Sequence, residues 1–283
     1  MTLFEFGLVL GGSVIHLGWN VLAKNRPRQH LFLAWALFFA GVVPGIVNQC
    51  RTPSPIISTT VLFWTTGSAI FHVIYFSLLA KAYNLKSDLS FVYPFSRGIG
   101  ALASTLVAML ALGDVIHGWA RLGIPLILLG TFLEPYFIWI KNHKIKAIGR
   151  DQFMFSLLVG ISIAAYLLWD KVALHFISST QLLAPMLFMT SIFLIGIETI
   201  HSSVKISVKE LPRAIIGGAF IFGSYHLIMW AMETAPLSYV TAARSSGVIF
   251  SAFSGRIIFK EQLSFTRWVG IATVTLGLIL LAF

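Results

Sequence analysis

The sequence predicts an all-α membrane protein of ten transmembrane helices, arranged as two inverted five-helix repeats. Three observations lead there. The 283 residues are 57% hydrophobic and only 11% charged, with a mean hydropathy of +0.87, which leaves too little polar surface to cover a soluble globule. The apolar residues fall into ten blocks, each close to the ~20 residues a helix needs to cross the hydrocarbon. The second half of the chain also repeats the first: Arg97, Gly100, Ser104, Ala108 and Asp114 recur 147 positions later as Arg244, Gly247, Ser251, Gly255 and Glu261.

In chain order the expected spans are 3–22, 31–48, 60–81, 88–112, 119–140, 153–172, 181–200, 213–234, 237–258 and 267–283. No Lys or Arg precedes the first span and no small-residue cleavage site follows it, so it is expected to persist instead of being removed as a signal peptide. The alternating hydrophobicity of a barrel is absent, and helices are then the remaining way to satisfy backbone groups in lipid. A single cysteine, Cys50, excludes an intramolecular disulfide framework.

Charge sets the orientation. Of the 20 Lys and Arg residues, 15 lie in the odd-numbered connections: Lys24, Arg26, Arg28; Lys81, Lys86; Lys141, Lys144, Lys146, Arg150; Lys205, Lys209, Arg213; and Arg256, Lys260, Arg267. Only Arg51, Arg121 and Lys171 lie in the even ones. Positive residues stay in the cytoplasm, so both termini are expected outside. The net charge of +10 is therefore a topology signal, and no nucleic-acid partner is expected. With five spans in each half, 1–146 and 147–283, equivalent helices enter the membrane from opposite sides. Such repeats place a substrate site near the midplane between the halves.

The repeat extends beyond the arginines. Leu122-Gly-Ile and Leu129-Gly return as Val269-Gly-Ile and Leu276-Gly, and Leu89-Ser-Phe-Val returns as Leu237-Ser-Tyr-Val at an offset of 148. Small residues four apart, Ser96-Gly100-Ser104-Ala108 and Ala243-Gly247-Ser251-Gly255, form one face of spans four and nine. Such faces let backbones approach closely where lipid removes the hydrophobic drive, so the two helices are expected to cross each other or a partner there. Gly98-Ile-Gly-Ala-Leu-Ala resembles a dinucleotide fingerprint, yet it lies inside an apolar helix with no βαβ context and is discarded.

His16-Leu-Gly-Trp-Asn20 matches Tyr166-Leu-Leu-Trp-Asp170 at an offset of 150. Trp19 with Asn20 and Trp169 with Asp170 are either interfacial aromatics with capping side chains or the lining of a site that accepts a ring or an alkyl chain.

Arg97 and Arg244 carry the strongest functional signal. At 1.5 Å per residue, Arg97 lies roughly 14 Å from Asp88 and Arg244 roughly 10 Å from Leu237. At such depth an uncompensated guanidinium costs at least about 2.5 kcal/mol. One compensation is internal, by Glu134, Glu198, Glu233, Asp170 or carbonyls freed near Pro94. The other is an aqueous cavity between the repeats, where both forks receive the anionic part of a small molecule. Tyr93 and Tyr239 are candidate hydroxyl donors or helix-interface fillers. His72 and His226 are candidate proton relays or satisfied core residues. His and Cys do not cluster at ligand spacing, and neither a metal nor another cofactor is expected.

Together the ten blocks, the two related halves, His16-x-x-Trp-Asn20, Asp88-Leu-Ser-Phe-Val-Tyr-Pro-Phe-Ser-Arg-Gly98 and the stretch from Arg244 to Phe259-Lys-Glu261 resemble the EamA-type branch of the drug/metabolite transporter superfamily over essentially the whole chain. The resemblance implies a secondary transporter in a bacterial inner membrane, moving a small organic metabolite or xenobiotic by alternating access, with an anionic substrate group favoured. Its implied partners are the small-molecule substrate and the bilayer, as a monomer or homodimer. Ser245 departs from the pattern, which often has Glu after the arginine. The competing classes are a membrane-embedded enzyme or flippase for lipid-linked substrates, and a receptor or scaffold that transports nothing. The short loops offer the first of these neither a nucleophile with its base nor a carboxylate cluster.

Overall fold

A computed structural model of the chain describes residues 1–23, 29–51, 58–84, 89–141, 150–201, 207, 209–258, 260 and 263–283. Among them are eleven helices and no strand: α1 (Leu3–Ala23), α2 (Gln29–Arg51), α3 (Thr59–Asn84), α4 (Leu89–Ala111), α5 (Ala120–Lys141), α6 (Arg150–Ala173), α7 (Ser179–His201), α8 (Leu211–Thr234), α9 (Leu237–Arg244), α10 (Ser246–Ile258) and α11 (Phe265–Ala282). Nine of the ten expected spans coincide with single helices to within three residues at each end. Eight of the described helices, α1–α4, α6–α8 and α11, are long and apolar enough to cross a membrane.

The ninth expected span is the exception. It divides at Ser245, where the N–H returns to the Ala242 carbonyl and the Ser245 carbonyl receives the Val248 N–H, both at 3.0 Å. These are i→i+3 bonds, and Ser245 keeps a helical φ of −64° and ψ of −14°. The chain thus tightens for one turn directly after Arg244 instead of leaving the helix. Hydropathy is blind to such a change, since both helical forms bury the same residues.

The chain forms two compact units, each drawing on both halves of the sequence. The first comprises residues 1–10, 74–168 and 234–283. Its α5 and α11 run antiparallel at backbone contact. A Cβ on Gly123 would lie 2.7 Å from the Gly277 carbonyl oxygen, and one on Gly277 would lie 2.7 Å from that of Gly123. Gly130 and Gly270 repeat the arrangement at 2.8 and 2.9 Å. Gly123 and Gly270 are counterparts in the sequence repeat, as are Gly130 and Gly277, so each glycine meets the counterpart of the other. That exchange is the signature of a two-fold contact.

In the same unit the row Ser96, Gly100, Ser104 and Ala108 on α4 is buried. It packs on α6: a Cβ on Gly100 would lie 2.8 Å from Ile163 Cγ2, and one on Gly160 would lie 2.9 Å from the Ser96 carbonyl oxygen. The partner of this row is therefore α6, while α4 meets α9 near Thr105 and Thr241, whose hydroxyl oxygens are 3.3 Å apart. The α4–α5 connection turns at Gly113 (φ +71°) and Gly118 (φ +54°), left-handed conformations that favour glycine. The connection is held to α9 at two points. Asp114 Oδ2 accepts from the Ser238 N–H and Oγ, both at 2.8 Å, and the Tyr239 hydroxyl accepts from the His117 N–H at 2.8 Å.

The second unit comprises residues 11–73 and 169–233. Here α2 and α7 touch where a Cβ on Gly41 would fall 2.5 Å from the Phe188 backbone nitrogen. Both helices have 23 residues and begin 150 positions apart. Phe38 and Phe188 are thus counterparts, and their rings lie 5.8 Å apart. In this unit Trp169 packs over Gly67, where a Cβ would come within 2.1 Å of Trp169 Cζ2.

Candidate functional site

Arg97 and Arg244 line one small cavity of about 20 Å³ inside the first unit. Helical spacing explains the lining. Arg97 and Ala101 are four apart on α4, and Ile163 and Leu167 four apart on α6. Thr241, Arg244, Ser245 and Val248 follow i, i+3, i+4, i+7 along α9 and α10. The nine described residues that line it include two guanidiniums and no carboxylate. Arg97 is half-buried, whereas Arg244 is only 8% exposed. Among the described residues no side chain pairs with the Arg244 guanidinium, which lines the cavity. The Thr241 hydroxyl is occupied, lying 3.1 Å from the Ser238 carbonyl oxygen to which it donates.

Two acidic residues that the sequence offers as internal partners are engaged elsewhere. Asp170, 1% exposed, accepts a hydrogen bond from Ser68 Oγ. Glu233 Oε1 accepts from the Ser179 N–H at 2.8 Å, at the start of α7. The side chain of Glu134 lies outside the described residues, as does that of Tyr93.

Trp19, Asn20, Trp169 and Asp170 all belong to the second unit. The Trp19 indole donates to His16 Nδ1 at 3.2 Å, and the Asn20 amide donates to the His16 carbonyl at 2.8 Å. Trp169 Nε1 donates to the Trp64 carbonyl at 3.0 Å, and its ring centroid is 5.0 Å from that of Trp64. Both indole N–H groups are therefore committed, leaving ring faces and edges for contact with a ligand. His72 Nδ1 lies 2.9 Å from the Ser68 carbonyl oxygen and joins Ser68 and Asp170 in one buried polar chain. His226 stacks on Phe222 at 5.5 Å.

Sequence reasoning found both arginines but missed Thr241 and Ser245 as lining residues. The position of Thr241, three before Arg244, carried the helical signal that would have found it. Ser68 gave no such signal, because it is one of many serines in apolar helices.

Comparison with known proteins agrees with the motifs. Residues 152–283 match the model of the EamA-like transporter family. The uncharacterized transporter YdfC of Bacillus subtilis (strain 168) is 31% identical over 77 residues, a stretch that spans 27% of this chain and 25% of that relative. A crystal structure described only as that of a protein superposes on 99% of this chain and 95% of its own with a TM-score of 0.71; at 13% identity the likeness is one of fold alone. The matched residues 152–283, which hold Arg244 and the second copies of the repeated glycines, are thus similar to the EamA-like transporter family.

Proposed function

We propose that the chain is a secondary carrier of a small organic metabolite or xenobiotic bearing an anionic group, received by Arg97 and Arg244. The observation that carries this reading is one cavity lined by both guanidiniums and, among the described residues, by no carboxylate. A planar guanidinium donates two parallel hydrogen bonds to a carboxylate or phosphate-like group, and the apolar walls of Ile163, Leu167 and Val248 strengthen such bonds by keeping the dielectric low. Tyr93 in the first unit, and separately Trp19, Asn20, Trp169 and Asp170 in the second, are the further candidates for substrate contact.

In this reading the halves 1–146 and 147–283 are inverted five-helix repeats, and alternating access exposes the arginines to either side in turn. The reciprocal glycine contacts between α5 and α11 support the inversion, since an antiparallel two-fold contact relates two oppositely oriented copies. The compartment is the bacterial inner membrane, with both termini periplasmic and the chain a monomer or homodimer.

The test is transport by purified protein in liposomes against a panel of organic anions and lipophilic cations. Arg97→Lys and Arg244→Lys should each abolish or sharply weaken anion transport, because lysine keeps the charge but loses the fork. Unchanged anion transport by both variants overturns the assignment.

A further inference from the structure

Resting on the anion-binding reading of the Arg97 and Arg244 cavity, we infer that between substrates this cavity holds a small inorganic anion of the halide class, which a carried organic anion must displace. The argument begins with an excess of donors. Arg244 is 92% buried, being 8% exposed, and no side chain pairs with it among the described residues. Ser245, 4% exposed, lines the same cavity, and its hydroxyl meets no acceptor among the described residues. Ser246 Oγ, next in the chain, is buried without a hydrogen-bond partner.

A guanidinium has five N–H donors and no acceptor, and its charge resists burial unless it is paired. The other lining side chains include Ala101, Ile163, Leu167 and Val248, which offer nothing in return. Water can accept these hydrogen bonds but brings no charge, and no carboxylate lines the cavity among the described residues, so an anion entering from outside is the group that suits it. A monatomic halide accepts from any direction, which suits a guanidinium on one wall and a hydroxyl one residue further along. A cavity of about 20 Å³ is also small enough that such an ion and the charged group of an organic anion compete for the same donors.

Ser245 offers a direct test. A carboxylate at this position, adjacent to Arg244 and on the same cavity, would serve as a built-in counter-ion and make the external anion redundant. The melting temperature of the purified chain is measured in detergent as sodium chloride is added to a low-salt buffer. The wild type should rise by a few degrees and saturate, as expected for a ligand bound only by the folded state. Ser245→Glu should melt without added chloride at or above the wild-type temperature and respond little to chloride. Arg244→Gln should not respond at all; if it fails to fold, Ser245→Glu decides alone.

A flat chloride response in the wild type overturns the inference, as does an undiminished response in Ser245→Glu. An acetate arm separates this result from the carrier reading. Stabilisation by acetate but not by chloride, lost in Arg244→Gln, leaves organic-anion recognition standing and removes the resident halide. A chloride response that depends on Arg244, in a protein whose arginine-to-lysine variants transport normally, keeps the halide and removes the substrate assignment.

Discussion

Gly130 and Gly270 face each other across α5 and α11 so closely that a Cβ on either would come within 2.9 Å of the other's carbonyl oxygen. The obstacle is backbone, which cannot swing aside as a flexible side chain can. Gly130→Ala and Gly270→Ala should therefore each lower stability by about 1–3 kcal/mol, the usual cost of forcing bulk into a packed contact. Gly7→Ala is the control, because a Cβ there meets nothing within 4 Å. Its melting temperature should stay put or rise slightly, since alanine is the better helix former. Equal melting of all three variants would rule out the backbone contact.

Arg244→Leu separates a binding guanidinium from a structural one. Breaking a buried ion pair by removing one partner costs about 3–5 kcal/mol, whereas Arg244 has no such partner among the described residues. The leucine variant should keep most of its thermal stability and lose anion transport. A loss of stability recovered by removing a carboxylate as well would mean that an ion pair had been broken.

Asp114 holds the first turn of α9 through the Ser238 N–H and hydroxyl. Free N–H groups at a helix start carry partial positive charge, and an acceptor there contributes about 1 kcal/mol. Asp114→Ala should cost that much or more, and Asp114→Asn less, as judged by melting in detergent. With Ser238→Ala the two losses should be non-additive, because the residues share one contact.

Trp169 fills the space that Gly67 leaves open. Gly67→Ala places its Cβ 2.1 Å from the indole and should displace the ring, altering tryptophan fluorescence and lowering the melting temperature. In a Trp169→Leu background the same change should cost much less, since the obstructing atoms are gone. Full additivity of the two substitutions would contradict the packing.

Orientation can be read with two reporters fused after Phe283. One that fluoresces only in the cytoplasm should stay dark, and one that needs export for activity should work, given the 15-to-3 bias of basic residues between odd and even connections. The reverse pattern would invert the assigned topology while leaving the glycine contacts untouched.

The positions of most helices and the repeated residues of the two halves were legible in the sequence. Bilayer thickness demands long apolar blocks, and that one-dimensional constraint placed nine helices within three residues at each end. The repeated arginines and glycines were legible because identical residues at a constant offset need no geometry to be seen. Which repeated residue meets which was not. Gly123 contacts Gly277 and not its own counterpart Gly270, because a two-fold axis between antiparallel helices exchanges positions along them. The α4 row found its partner on α6, and two compact units each drew on both halves of the chain, since helix neighbours are chosen by the packing of small residues and not by order in the sequence. It took the tertiary structure to bring Arg97 and Arg244 to one cavity, with no carboxylate lining it among the described residues. Depth along a helix follows from counting residues, but the direction a side chain faces depends on how that helix is rotated against its neighbours.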